Sequence, residues 1–340
     1  MSKRVVLLGH PVSHSLSEAL QKAAFATLGI DATYEPVDTP VKDLADAVEA
    51  LRGEEYLGAN ISVPHKDRVV TLVDRLTEEA QHTGAVDTIT CEGDRLVGHN
   101  TDVLGFKPAL EQLVGSQKMP RSAVVLGAGG GARAVVYTLI REGFQHIVVF
   151  NRHLHRAERL TRHFARSAAH MELRAKPWHE SVIEAELAKT DILVNTSSVG
   201  RDADESPIPA ELLPPDILVL DLHYVPKETR LLRDARAAGA SEAMNGDVML
   251  LGQSAAAFEL WTGQNAPLHT MREQLEASRN VTEVPVATTT ENRPVDAGGE
   301  GADSEPKSGA AEAAEAEPER EAEPETEPEP ETEAEAGAKE

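Results

Sequence analysis

Short apolar runs alternate along the chain with longer amphipathic stretches. This pattern is typical of strands and helices that alternate around a largely parallel sheet, so the sequence predicts an α/β fold. The predicted strands are Val5–Leu8, Gly58–Val63, Ala123–Leu126, Ile147–Phe150, Asp191–Val194 and Ile217–Asp221. The predicted helices are Ser17–Leu28, Asp43–Leu51, Ala132–Arg141 and Arg156–Phe164.

The pattern dissolves beyond Glu283 into Glu, Pro and Ala. Residues 281–340 hold 4 Lys and Arg against 19 Asp and Glu, which is most of the formal net charge of -24. Such a segment has little apolar surface to bury and repels itself, so residues 283–340 are predicted to be a disordered acidic tail. A solvated appendage without a specific partner and an interaction or solubility tail are both open.

The rest of the composition narrows the class of protein. A chain of 340 residues is long enough for two domains, and residues 1–280 are only mildly acidic, with 29 Lys and Arg against 38 Asp and Glu. We therefore expect no nucleic-acid partner. With one cysteine, Cys91, no long apolar segment and no signal-like start, we expect a cytoplasmic protein without membrane contact, as a monomer or homodimer.

A glycine-rich turn follows the strand Ala123–Leu126 and opens a helix. Glycines there allow a tight turn and close approach of a pyrophosphate to the helix N-terminus. Any glycine-rich connection gives the same letters, but the setting of strand, turn and helix favours a dinucleotide site. The predicted cofactor-binding residues of this turn are Gly127, Ala128, Gly129, Gly130, Gly131 and Ala132.

The end of the next strand indicates which dinucleotide binds. A site for NAD usually places an acid there for the ribose 2′-hydroxyl, whereas this chain has Asn151 and Arg152, with Arg156 close behind. A guanidinium suits the 2′-phosphate of NADP through paired, charge-assisted hydrogen bonds. The competing interpretation is a solvated basic loop. NADP is the predicted cofactor.

Polar residues gather where other strands end. Ser15 and Ser17 stand at a helix start, where they suit a substrate carboxylate or only cap the helix. Lys66 and Asp102 follow two further strands, and together they could handle the proton of a secondary alcohol. Taken separately, each also suits an ordinary role, a surface lysine and a helix cap.

Taken in chain order, these segments resemble the shikimate dehydrogenase family, over roughly residues 4–275. That family reversibly oxidises shikimate at its 3-hydroxyl, normally with NADP, and runs toward reduction. The motifs that carry the resemblance are Ser15–Ser17, Asn60–Lys66, Gly84–Thr88, Asn100–Asp102, the glycine turn, Asn151-Arg152, Asp221–Thr229, Asn245–Gln253 and Trp261–Gly263.

The resemblance implies a role for each matching residue. Lys66 and Asp102 would be the catalytic pair, and Gly246 would lie near the nicotinamide. Ser15 and Ser17 would hold the substrate carboxylate. The remaining substrate-binding residues would be Ser62, Asp87, Asn100, Tyr224 and Gln253.

The resemblance also implies the domain organisation. An N-terminal α/β substrate-binding domain, residues 1–105, would be completed by residues 245–275. A C-terminal Rossmann NADP-binding domain would occupy residues 106–244. The active site would be the cleft between these two domains.

Asp87 is the most important departure from the family pattern, because it stands in the usual place of a substrate-binding asparagine. An ionised aspartate only accepts hydrogen bonds, and its charge would act on Lys66. A quinate/shikimate dehydrogenase, or a paralogue that acts on a related ring acid, is therefore the alternative. A non-catalytic dinucleotide sensor is more remote, since Lys66 and Asp102 are both present.

Two further groups receive structural interpretations. The histidines His10, His14, His65 and His99 lie near loop ends without the spacing of a zinc site, so no metal is predicted. Met249, Phe258 and Trp261 are predicted to form the core face of a late helix rather than a cofactor box.

Overall fold

The computed structural model describes residues 2–12, 15–201 and 204–282. Within this part of the chain, twelve strands form two six-stranded sheets. The first sheet contains β1 (Lys3–Gly9), β2 (Ala32–Asp38), β3 (Tyr56–Ile61), β4 (Arg75–Leu76), β5 (Thr88–Glu92) and β6 (Arg95–His99). The second contains β7 (Ser122–Leu126), β8 (His146–Phe150), β9 (Glu172–Lys176), β10 (Ile192–Asn195), β11 (Leu218–Asp221) and β12 (Glu242–Met244).

The predicted strands and helices are confirmed, with ends that differ by a few residues. The predicted helix Asp43–Leu51 differs most from the structure. Its α-helical part is shorter than predicted, because 3₁₀ turns at Val41–Asp43 and Ala50–Arg52 flank it. The α-helices are α1 (Ser17–Thr27), α2 (Leu44–Glu49), α3 (Glu78–Thr83), α4 (Asp102–Val114), α5 (Gly130–Arg141), α6 (Leu154–His163), α7 (Glu180–Leu187), α8 (Arg230–Ala238), α9 (Asp247–Thr262) and α10 (Leu268–Thr282).

The second sheet is parallel throughout, with the order β9-β8-β7-β10-β11-β12. Numbered within the sheet this order is 3-2-1-4-5-6, that of dinucleotide-binding Rossmann sheets. Connections leave β7 and β10 toward opposite sides, so the loops after these two strands border the crevice where ligands bind in such folds. The predicted parallel Rossmann sheet is confirmed here.

The first sheet is largely parallel, as predicted, but one of its six strands runs in the opposite direction. Its order is β2-β1-β3-β5-β6-β4, and β5 runs antiparallel to both β3 and β6. The difference comes from a hairpin in which Glu92 pairs with Arg95 across a two-residue turn. Gly93 begins that turn at a φ of 67°, a conformation that favours glycine and reverses the chain tightly.

Helix α9 belongs to the cores of both halves. Met249 packs in the apolar cluster that also contains strands of the second sheet, such as Val125. Phe258 and Trp261, further along the same helix, pack in the cluster that contains Phe25 of α1. The predicted core role of these three residues is confirmed.

Helices α4 and α9 pack with their backbones in contact at two glycines. A Cβ atom added to Gly252 would lie 2.9 Å from the Cα atom of Gly105. A Cβ atom added to Gly105 would collide with the carbonyl oxygen of Met249 and lie 2.8 Å from the amide nitrogen of Gln253. Only glycines allow this approach, so the crossing fixes the distance between the two helices.

The first sheet occupies residues 3–99 and the second residues 122–244, while the domain boundaries proposed from the sequence stay a prediction. The acidic segment 283–340 lies outside the described residues. None of the helices in the described part of the chain combines the length and apolarity needed to cross a bilayer.

Replacing Gly105 with Ala should lower the free energy of unfolding by about 1–3 kcal/mol, because the new methyl group forces α4 and α9 apart. Gly131→Ala is the matched control: Gly131 lies in α5, and in the described part of the chain no atom lies within 4 Å of an added Cβ atom. That variant should be as stable as the wild type or slightly more stable. Urea denaturation measures both, and an unaffected Gly105→Ala protein would contradict the tight crossing.

Candidate active site

Lys66 and Asp102 are brought together by different strands of the first sheet. Lys66 follows β3 after a short turn, and Asp102 is the first residue of α4, just beyond β6. The Lys66 Nζ atom donates a hydrogen bond of 2.5 Å to Asp102 Oδ2. Their side chains are only 16% and 7% exposed. The two residues predicted to be the catalytic pair therefore form a largely buried ion pair.

The protonation state of Lys66 follows from its neighbours. Burial disfavours the charged ammonium, but the charges of Asp102 and Asp87 and the hydrogen bond to Asp102 outweigh it. The net result is a pKa of Lys66 above its ordinary value. Lys66 is therefore protonated at neutral pH and is able to donate a proton.

Asp87 and Asn100 hold the first turn of α4 in place. Asp87 Oδ1 accepts from the backbone amide and the hydroxyl of Thr101, and Oδ2 accepts from the amide of Asp102 at 2.7 Å. Asn100 Oδ1 accepts from the amide of Val103 at 3.3 Å. Three amides at the helix start are thus capped by side chains, which satisfies donors that lack helical partners.

These contacts bear on the predicted substrate roles of Asp87 and Asn100. Both residues are only 2% exposed. The amide group of Asn100 also donates to the Thr83 hydroxyl and to the Ala85 carbonyl. Both side chains thus position the turn that carries Asp102, and their contact with substrate stays a prediction.

Burial raises the pKa of Asp87 to about 6, with a further contribution from the charge of Asp102. Lys66 and the hydrogen bonds from the amide of Asp102 and from Thr101 oppose the shift. The carboxyl of Asp87, beside the ion pair, therefore takes up a proton at a higher pH than an ordinary aspartate does.

A chain of hydrogen bonds runs from this cluster toward the start of α1. Thr88 donates to Asp87 Oδ1 at 2.9 Å, and Asn60 donates to the Thr88 hydroxyl at 3.0 Å. The Tyr34 hydroxyl donates to Asn60 Oδ1 at 2.8 Å and lies close to Ser17. Ser17, predicted to bind the substrate carboxylate, therefore borders the polar network that contains the predicted catalytic pair.

Ser15 and Tyr224 also come together. Burial raises the pKa of Tyr224, and the nearby Ser15 hydroxyl and Leu16 backbone oppose this rise. Ser15 Oγ accepts from the amide of Ser17 at 3.2 Å, as a serine at a helix start commonly does. Ser15 therefore serves the helix start and at the same time contacts a second predicted pocket residue.

Three more predicted residues lie on neighbouring elements. Ser62 is half-buried just after β3, and its amide donates to the Leu8 carbonyl. Gln253 is half-buried on α9, where it faces Gly105 of α4. Gly246 immediately precedes α9 and packs so closely on the Leu222 backbone that a side chain would not fit.

The glycine turn after β7 has the geometry of a pyrophosphate site. Gly127 has a φ of 107°, and its amide donates to the Phe150 carbonyl at 2.7 Å. Among the described residues, no side chain caps the N-terminus of α5, and no atom lies within 4 Å of a Cβ atom added to Gly129 or Gly131. Amide donors of the helix start and open space together fit an anionic dinucleotide.

Gly130 connects the glycine turn with the ion pair. A Cβ atom added there would lie 2.7 Å from the Cβ atom of Lys66. Two motifs separated by more than sixty residues in the sequence are therefore in direct contact. This contact places the predicted cofactor turn next to the predicted proton donor.

The residues predicted to bind the 2′-phosphate of the cofactor's ribose follow β8. Asn151 donates to the carbonyl of His153 at 2.9 Å, which shapes the loop before α6. Arg152 and Arg156 are exposed, and neither has an acidic partner among the residues that the structure describes. Both guanidinium groups are thus open to an anionic ligand.

Sequence reasoning missed two groups of residues near these motifs. The segment Asn195–Ser197 begins at the last residue of β10, and a Cβ atom on Gly127 would meet the Thr196 hydroxyl at 2.5 Å. Its polar residues after an apolar strand were a usable signal. Arg133, on α5, is 9% exposed and donates to the Thr83 carbonyl at 2.9 Å. An arginine in the first turns of a mostly apolar helix was the signal there.

The histidines have structural partners. His65 is fully buried, and its Nε2 atom bonds the Thr39 carbonyl at 2.6 Å, which anchors the turn before Lys66. His10 pairs with Asp38, and His99 contacts the Thr90 hydroxyl. His14 lies outside the described residues. No group of three potential metal ligands occurs within the described part of the chain.

Comparison with protein families gives three matches along the chain. The shikimate dehydrogenase substrate binding domain matches residues 7–89, shikimate / quinate 5-dehydrogenase matches residues 110–202, and the shikimate 5'-dehydrogenase C-terminal domain matches residues 248–276. A relative named shikimate dehydrogenase (NADP(+)), from Methanopyrus kandleri, is 41% identical over 272 residues, which are 79% of this chain and 93% of the relative.

Solved structures of shikimate and quinate dehydrogenases are also similar to this chain. Shikimate 5-dehydrogenase from Thermus thermophilus, in complex with NADP(H) and shikimate, is 38% identical with a TM-score of 0.70, covering 81% of this chain and 99% of that one. Quinate dehydrogenase from Corynebacterium glutamicum, in complex with NAD, is 31% identical with a TM-score of 0.71, also covering 81% and 99%.

The raised pKa of Asp87 predicts a pH dependence of stability. Between about pH 4 and about pH 6, the unfolded chain loses the proton of this carboxyl while the folded chain keeps it. The free energy of unfolding of the wild type should therefore fall with rising pH across this window, relative to Asp87→Asn. Urea denaturation of both proteins from pH 4 to pH 8 measures the difference, and a constant difference would show that the pKa is ordinary.

Proposed function

Since the chain belongs to the shikimate dehydrogenase family, we propose that it is an NADP-dependent oxidoreductase that reversibly reduces 3-dehydroshikimate to shikimate. The observation that carries the proposal is the buried ion pair of Lys66 and Asp102 directly against Gly130 of the glycine turn. A proton donor next to a dinucleotide site is the arrangement that reduction of a ketone requires.

The proposed cofactor site extends from the glycine turn to the start of α6. The amides and open space around Gly129 and Gly131 would hold the pyrophosphate. Arg152 and Arg156 would pair with the 2′-phosphate, and Gly246 would lie near the nicotinamide. In the direction of reduction the reduced cofactor, NADPH, would supply the hydride, and all other steps would fall to the chain's own side chains.

Lys66 would provide the proton for the substrate oxygen. Its raised pKa keeps the ammonium charged at neutral pH, so it is ready to donate in the direction of reduction. Asp102 orients the ammonium through the 2.5 Å hydrogen bond and stabilises its charge. In the reverse direction the same pair would accept the proton of the hydroxyl.

The substrate would lie between the start of α1 and the ion pair. Ser15 and Ser17 would bind its carboxylate, because both hydroxyls stand at a helix start where anions are favoured. The ring hydroxyls would face polar residues that belong to the hydrogen-bond network around Asp87 or lie beside it. These residues are Ser62, Asp87, Asn100, Tyr224 and Gln253.

A quinate/shikimate dehydrogenase activity is the second candidate. Asp87 favours it, since a carboxylate in place of the usual asparagine changes the charge and the donors that the ring meets. The resemblance to quinate dehydrogenase of C. glutamicum also supports it. We propose that the protein lies in the cytoplasm and is a monomer or a homodimer. Its proposed partners are therefore small molecules and, in the homodimer, a second copy of the chain.

The function is tested by a spectrophotometric assay of shikimate and quinate, each with NADP and with NAD. Shikimate with NADP should be the fastest pair, and Lys66→Ala should lower kcat by about 10²–10⁴-fold while NADP binding persists. Lys107→Ala, which removes an exposed lysine of α4, is the control and should retain activity. Absence of turnover with shikimate and either cofactor would refute the proposal.

The cofactor preference is tested by Arg156→Ala. Loss of a charge-assisted hydrogen bond to the 2′-phosphate should raise the KM for NADP by about 10- to 100-fold and leave the KM for NAD nearly unchanged. Arg166→Ala removes an exposed arginine ten residues further on and should change neither value. Equal effects on NADP and NAD would mean that Arg156 does not contact the 2′-phosphate.

A further inference from the structure

Arg279 is a buried cation in a helix without an assigned role. It lies in the last turn of α10 and is only 3% exposed. Arginine is rarely buried to this degree unless its charge and its donors are satisfied by partners. Its contacts therefore show what the side chain holds in place.

Two segments of the candidate site supply these partners. The Nε atom of Arg279 donates to the backbone carbonyl of Tyr224 at 3.0 Å. One of its terminal nitrogens forms an ion pair with Oδ1 of Asp247, the first residue of α9. One guanidinium thus joins the loop after β11 to the start of α9.

The same two segments also contact each other directly. The amide of Gly246 donates to the His223 carbonyl at 2.8 Å, and the side chain of Asn245 donates to the Lys227 carbonyl at 3.0 Å. These bonds connect the backbones, while Arg279 is the link that reaches them from a third element. Removing it would take away this polar link between α10 and the two segments, while the apolar cluster that they share would remain.

Helix α10 is itself anchored beside α1. Met271 and Leu275 are buried in the apolar cluster that contains Leu20 and Phe25 of α1. The Tyr224 hydroxyl, in turn, lies close to Ser15 near the start of α1. Tyr224 therefore reaches from Arg279, which binds its carbonyl, to the start of α1.

We infer that Arg279 is a positioning residue, which sets the place of Tyr224 and of the start of α9 relative to the start of α1. This inference rests on the proposed function in one respect, namely that Tyr224 faces the substrate. Because Arg279 bonds to Tyr224 and Asp247 rather than to Lys66 within the described part of the chain, it should act on substrate binding more than on the proton transfer at Lys66.

The test compares Arg279→Met with Arg279→Lys and Arg272→Met in the full-length protein. Arg279→Met should raise the KM for shikimate by about 10- to 100-fold with a smaller change in kcat, and the Kd for NADP should change less than the KM. Arg279→Lys keeps the charge and one donor, so it should restore part of the loss. Arg272→Met removes an exposed arginine of the same helix and should behave as wild type.

Hydrogen exchange of the peptide that covers residues 222–229 gives a readout that does not need turnover. In Arg279→Met, its amides should exchange faster than in wild type and in Arg272→Met. Unchanged exchange there, or a change confined to α10, would overturn the inference. If the wild type does not turn over shikimate, the proposed function fails, and the exchange measurement alone decides whether Arg279 positions the loop.

Discussion

The backbone contact between α4 and α9 is the constraint on which the candidate site depends. Gly105 and Gly252 let the two helices approach to a distance that any side chain would prevent. Helix α4 begins with Asp102, while α9 follows Gly246 and carries Gln253. The crossing therefore sets the spacing among residues that the reaction would use, and the buried residues of α9 in both apolar clusters keep the crossing rigid.

The charges around Lys66 depend on where the first turn of α4 lies. Capping by Asp87 fixes the first turn of α4, and the same carboxylate adds a second negative charge beside Lys66. Two carboxylates around one ammonium raise the pKa of Lys66, while burial and the neighbouring carboxylate raise that of Asp87. One side chain thus contributes to helix geometry and to the protonation state of the proposed proton donor.

Two buried arginines connect elements that are distant in sequence. Arg133 of α5 supports the carbonyl end of α3 at Thr83, whose hydroxyl also holds Asn100. Arg279 of α10 joins Tyr224 to Asp247. A planar guanidinium offers several donors in fixed directions, so it can satisfy partners on two segments at once, which a lysine does less well.

The amino-acid sequence was sufficient to predict the elements whose signals are contiguous: the parallel strands and helices of the second half, the glycine turn after β7, and the core face of Met249, Phe258 and Trp261. Each of these depends on period, turn chemistry or strand-end position within about twenty residues. The antiparallel arrangement of β5 and β6 was missed although Gly93 and Asp94 carry a hairpin signal, because their strands are short and flanked by polar residues. The long-range contacts became evident from the fold alone. They are the contacts of Lys66 with Asp102 and Gly130, the capping by Asp87, and the hydrogen bonds of Arg133 and Arg279. The physical reason is that such contacts arise from the packing of whole helices and sheets, and spacing along the chain does not encode how those surfaces meet.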